Sequence, residues 1–123
     1  MRLVLYFLLA AGTAPAWAQW AKLGEGPESD AYVDLATIQR LGNFRRVWEI
    51  QDMHKRNPDG AMSSRSFTEY DCRGKRARII SLSTHPEPMA VGAALVSEDN
   101  PRPWAVVSLG TTGEAVLDIA CKR

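Results

Sequence analysis

The sequence predicts an α+β domain: an antiparallel β-sheet meander with a C-terminal helix packed on one face and tethered there by a disulfide. Three observations carry this prediction. Several segments alternate in polarity with a period of two, as half-buried strands do. The last fifteen residues instead carry a helical apolar stripe behind a capping signal. The chain has two cysteines, Cys72 in an alternating segment and Cys121 in the terminal stripe. The same strands also allow a small barrel, the second-ranked architecture.

The chain has 123 residues, enough for one core and too few for two. In chain order, residues 1–18 read as a secretory signal peptide. Arg2 supplies a positive start, Leu3 to Ala11 an apolar run, Gly12 and Pro15 a break, and Ala16-Trp17-Ala18 a cleavage motif. The run is too short to span a bilayer, which takes about 20 residues. Cleavage before Gln19 is expected to leave a domain of residues 19–123, exported by the Sec route to the periplasm, the cell surface or the medium. No cysteine follows the cleavage motif, so no lipid or membrane anchor is expected. Export implies an oxidising compartment, where a widely spaced even pair such as Cys72 and Cys121 reads as a disulfide. A redox pair would need a close spacing such as C-x-x-C.

Residues 19–24 form a first short strand anchored by Trp20, and residues 25–30 a turn rich in Gly, Pro, Ser and Asp. Residues 31–34 form a second strand. Asp34 then caps a helical turn over residues 35–38, and residues 41–43 turn the chain again. Residues 44–55 are the longest strand candidate. Its parity of Phe44, Arg46, Trp48, Ile50 and Asp52 is the more apolar at its centre and is expected to face the core. Asn57-Pro58-Asp59-Gly60 is a turn, so the strand returns as residues 62–73. There Ser64, Ser66, Thr68 and Tyr70 alternate with Arg65, Phe67, Glu69 and Asp71.

Gly74 turns into a strand over residues 75–84, with Ile80 and Leu82 on its apolar parity; Pro86 and Pro88 end it. Residues 90–97 read as a further apolar strand, residues 98–103 as a loop, and residues 104–107 as a short strand or a turn. Thr111 and Glu114 then form a capping box. Val116, Ile119 and Ala120 align on one helix stripe beside Leu117 and Cys121. The expected core is Trp48, Ile50, Tyr70, Ile80, Leu82, Val116 and Ile119. Alternation leaves Val47, Met53, Phe67 and Ile79 on the uncovered face, an apolar group of a kind that can join two copies of the chain.

Val47-Trp48 in a long strand, Glu69-Tyr70-Asp71-Cys72, Trp104, Gly110-Thr111 with Glu114, and the terminal Cys121 together resemble the surface-adhesin protein E-like domain family. Trp20, the Tyr32-Val33-Asp34 strand, Ile38 and Gly42 fit as well, so the resemblance covers residues 20–121. It implies the same sheet with a disulfide-tethered helix. It also implies a non-catalytic adhesin-like binding protein, with host extracellular-matrix proteins such as vitronectin and laminin as partners. Leu109 stands where the family pattern has proline.

No catalytic, cofactor or metal site is expected from the residues. His54 and His85 lie on different segments, and a zinc site needs three or four N or S ligands. Glu69 and Asp71 share a strand face and read as partners of arginines such as Arg78 or Arg46. Ser63, Ser64 and Ser66 lie in no nucleophile elbow. The 14 acidic residues all lie beyond position 18 and equal the basic ones there, against nucleic-acid binding. The charge is nonetheless uneven. Residues 39–78 hold ten basic and five acidic side chains, and Arg73, Lys75, Arg76 and Arg78 crowd into one hairpin. These four are the candidate ligand-binding residues, suited to anionic glycans or acidic protein segments. The other readings are a periplasmic envelope protein with another partner and a small envelope enzyme whose site assembles from distant strands.

Overall fold

The computed structural model describes residues 19–123, so the expected signal peptide lies outside the described residues. Eight antiparallel strands form one sheet: β1 (Trp20–Glu25), β2 (Ser29–Asp34), β3 (Gln39–Leu41), β4 (Phe44–Met53), β5 (Ser63–Asp71), β6 (Arg76–His85), β7 (Val96–Glu98) and β8 (Ala105–Val106). The main path runs β1-β2-β4-β5-β6-β7, with β3 on β4 and β8 on β6. One helix, α1 (Thr112–Cys121), follows. Among the described residues no helix is long and apolar enough to cross a membrane.

The local signals act where the sequence places them. Asp34 accepts a hydrogen bond from the Ala36 amide and caps the 3-10 turn Leu35–Thr37. The Asn57–Gly60 turn closes with the Gly60 amide donating to the Asn57 carbonyl at 2.9 Å, and Gly60 takes a φ of 91° that an L-residue resists. Thr111 caps α1 by accepting from the Glu114 amide, while the Glu114 carboxylate reaches one residue past the cap and accepts from the Gly110 amide.

Cys72 and Cys121 are bonded, with Cα atoms 5.8 Å apart and 49 positions between them in sequence. The bridge presses α1 onto the sheet face carrying Tyr70, hereafter the helix face. Val33, Val47, Tyr70, Val116 and Leu117 form the core there, with Ala21, Leu23, Leu35, Ile38, Ala77 and Val107 packed around it.

The face assignment of β4 and part of β6 differs from the sequence reading. Val47 sits opposite Thr68 and Arg45 opposite Tyr70, so the helix face takes the odd residues of β4 and the even residues of β5. Val47 is therefore buried in the core, while Trp48 is half-buried on the far face against Phe67. Ile50, also on the far side, is buried as expected. On β6, the register shifts between Phe67 and Thr68 of the partner strand, which leaves Ile80 as the extra residue of a β-bulge. Ile79 and Leu82 consequently both fall on the helix face, opposite Thr68 and Ser66, and Ile80 breaks the expected parity. On α1, Leu117 is buried and Ile119 only half-buried, so the helix is rotated slightly from the expected stripe.

The expected strand over residues 90–97 is mostly absent; only Val96–Glu98 pairs, with β6. Residues 88–90 form a 3-10 turn in which Met89 and Ala90 both adopt left-handed φ values, 57° and 58°. Two hydrogen bonds fix this turn across the far end of the sheet. The Met89 amide donates to Asp52, and the Ala90 amide donates to the buried Ser63 hydroxyl, which itself donates to the Glu87 carbonyl.

Candidate functional site

The β5–β6 hairpin end is built around Asp71. Its carboxylate accepts from the Arg73 and Gly74 amides at 3.1 and 2.9 Å, and from Arg76 Nε at 2.9 Å. A Cβ at Gly74 would lie 2.5 Å from that carboxylate, so any other residue here would push the carboxylate off its present partners. The left-handed residue of the turn is instead Lys75, with φ 53°. The amides and Arg76 hold the Asp71 carboxyl below its ordinary range, the Gly74 amide being the largest influence.

The four predicted cations separate into two pairs. Arg73 and Lys75 occupy the turn and are exposed. Arg76 and Arg78 lie on the far face, held by carboxylates: Arg76 by Asp71, and Arg78 by Glu69, whose Oε1 is 2.9 Å from Arg78 Nη2. Arg46 on β4 approaches the other Glu69 oxygen at 2.7 Å. Glu69 is thus a buried carboxylate between two guanidinium groups. Burial pushes its pKa up, but the hydrogen bonds and charges of Arg46 and Arg78 outweigh this and leave it lowered. The Glu69 and Asp71 carboxylates are occupied by arginines, as the sequence reading favoured.

Trp104 completes the site. The Arg76 and Arg78 guanidinium carbons lie 4.7 and 4.6 Å from the centre of its ring, and Phe44 packs 5.8 Å away. The indole is placed by the chain on either side of it. The Arg102 amide donates to the Ile79 carbonyl, β8 pairs with Arg76 and Ala77, and the Val107 amide donates to the Lys75 carbonyl. Sequence reading singled out Trp104 only through the family resemblance. It sits among prolines with no alternation to assign it a face, and only its tryptophan identity marked it.

A second aromatic–arginine group lies further along the same face. Trp48 meets Phe67 edge-on at 4.6 Å, and Arg65 covers Trp48 at 4.0 Å. Guanidinium groups thus cover aromatic rings at both places, each contact worth about 0.5–1 kcal/mol when exposed.

The histidines are far apart in role. His54 contacts Asp30 at 2.8 Å in an exposed pair. His85 is buried, with Nε2 2.8 Å from the Ser83 hydroxyl and Nδ1 2.9 Å from the Gly92 carbonyl. That contact is of the nucleophile–base kind, but the orienting partner is a loop carbonyl, and the histidine ties the residue 86–95 loop to β6. Among the described residues no group of three metal-ligating side chains occurs.

A family model, surface-adhesin protein E, matches residues 20–122. The fold is similar to that of Haemophilus influenzae protein E in its crystal form II, with a TM-score of 0.61 and 14% identity, covering 75% of this chain and 80% of that one. No curated protein sequence matches.

Proposed function

This chain belongs to the surface-adhesin protein E family, and we propose that it is a non-catalytic exported binding protein whose contact surface is the cationic end of the β5–β6 hairpin. One observation carries the reading. Arg73 and Lys75 point to solvent beside two guanidinium groups already fixed against Trp104. Fixed guanidinium groups lose little side-chain entropy on binding, and their outward N–H groups suit carboxylate or sulfate. The exposed pair adds long-range attraction that salt weakens. The partners proposed are acidic segments of matrix proteins, vitronectin and laminin among them, or anionic glycans.

The test is binding of the purified protein to immobilised vitronectin, laminin and heparin at low and physiological salt. Two double variants, Arg73→Ala with Lys75→Ala and Arg76→Ala with Arg78→Ala, are run beside it. Both should weaken binding, and the first should also flatten the salt dependence. Undiminished binding by both would make the hairpin end a solvated edge. We further propose that the mature protein begins at Gln19. Intact mass reads this directly, and protease treatment of whole cells reads whether the domain is displayed.

A further inference from the structure

We propose a second, separate site: the cavity between the sheet and the N-terminal end of α1 binds a small organic cation, a primary ammonium carrying a short apolar tail. The cavity has a volume of about 260 Å³. Water occupies about 30 Å³ per molecule in the liquid, and drug-sized ligands take about 300–1,000 Å³, so the occupant is a small metabolite-sized molecule.

The lining selects its chemistry. Glu49 on β4 and Ser66, Thr68 and Tyr70 on β5 supply the polar surface, and Ile79 and Leu82 on β6 the apolar wall. No lysine, arginine or histidine lines it. An anion would therefore meet a carboxylate with nothing to neutralise it. A cation would meet a carboxylate together with hydroxyl lone pairs. The Tyr70 hydroxyl donates to Glu49 Oε1 at 2.9 Å, which fills one of about four acceptor sites on a carboxylate. The same bond fixes the carboxylate in position, since Tyr70 is itself locked in the core at 2% exposure.

Burial pushes the Glu49 carboxyl up, against hydrogen bonds from Thr68 and Tyr70. Burial disfavours the charged form, and a cation bound beside the carboxyl would favour it again, so binding and ionisation of Glu49 reinforce each other. The row Ser64, Ser66 and Thr68 on this face would also build a core inefficiently, because each buried hydroxyl needs a partner. The helix leaves this stretch of the sheet open, and only Thr112 and Gly113 of α1 reach its rim. Apolar side chains here would have filled the space.

The test titrates the protein with n-butylammonium and, separately, with butyrate, following backbone amides by NMR. The proposal expects saturable shifts at Glu49, Thr68 and Leu82 with the amine and none with the acid. Glu49→Gln keeps an acceptor for Tyr70 and should weaken amine binding at least tenfold. Ser66→Leu fills the cavity while leaving Glu49 in place, and should abolish it. Absence of saturable amine shifts in the unmodified protein overturns the proposal. So does equal binding of amine and acid, or unchanged amine binding in a folded Glu49→Gln or Ser66→Leu protein.

Discussion

The two faces of the sheet bury their aromatic and aliphatic groups by different means. On the helix face a second layer does it: α1 covers Val33, Val47 and Tyr70, and the Cys72–Cys121 bridge holds it there. Over the middle of the far face the covering layer is made of side chains. Arg65, Arg76 and Arg78 lie over Trp48 and Trp104, and Glu69 and Asp71 fix two of those arginines from below. Arginine can do this because its stem is apolar and its planar head stacks on rings while remaining hydrated. The comparison teaches that a single sheet can shelter large aromatics without a second layer of backbone. The resulting surface is cationic, whereas the helix face leaves an acidic, hydroxyl-lined cavity.

The sharpest break would come from one pair of substitutions. Val47→Lys places an unpaired charge in the core and should cost about 4 kcal/mol or more, at the level where small domains unfold. Trp48→Lys removes ring packing but leaves the new charge at the surface, and should cost about 1–2 kcal/mol. Urea denaturation of both variants checks the order. Near-equal costs would mean that the faces are not distinct.

Next in size is the bridge. Replacing Cys72 and Cys121 by serine should cost about 2–5 kcal/mol. The loss should be confined at first to the helix face, with hydrogen exchange quickening in residues 112–121 before it does in β5. Uniform quickening across the sheet would show that the far face depends on α1 too.

Smaller again is Glu69→Gln, expected to cost about 1–2 kcal/mol because its arginine partners are about a third exposed. Its sign with pH is fixed. A carboxyl lowered in the folded state contributes stability that is present above its unfolded pKa and lost as pH falls through the folded one. Glu69 and Asp71 both act in that direction. Stability of the unmodified protein should therefore decline from about pH 5 downward, and Glu69→Gln should make the decline shallower. An unchanged slope would remove Glu69 from the account.

The smallest effect is at His54, whose pKa is raised chiefly by its hydrogen bond to Asp30. The sign is opposite. Its contribution is complete below the unfolded histidine value near 6.5 and fades as pH rises through the folded one. An NMR titration of the imidazole in Asp30→Asn should return it toward that value.

Much of the fold was legible because its signals are local. The Asp34 cap, the Asn57–Gly60 turn, the Thr111 cap and the paired cysteines each act within a few residues, or through a bond that only one pairing allows. What was not legible is register, which two distant strands settle together. Alternation says that Val47 and Trp48 face opposite ways, but only the pairing with Thr68 and Phe67 says which way. Residues 90–97 misled for a different reason. Ala90, Val91, Leu95 and Val96 have strand composition, but the left-handed Met89, Ala90 and Gly92 prevent an extended run, and Val91, Leu95 and Val96 are left exposed. The four hairpin cations were visible as charge density, whereas Trp104, the stacking platform of Arg76 and Arg78, carried no parity. The cavity was not read from the sequence, although its signal lies in one strand. The parity Ser64, Ser66, Thr68, Tyr70 faces the helix and is too polar for a filled core.

The extra residue at Ile80 works as a change of reading frame within one strand. Before it, alternation writes Arg76 and Arg78 to the far face; after it, the same alternation, moved by one, writes Leu82 to the helix face and Ser83 and His85 to the other. Pairing Ile80 as an ordinary ladder residue would force one half to be misread, either turning the arginines inward beneath α1 or turning Leu82 away from the cavity; left out of the ladder, it keeps both halves on their present faces. One unpaired residue therefore lets a single ten-residue strand contribute to two sites that require opposite chemistry.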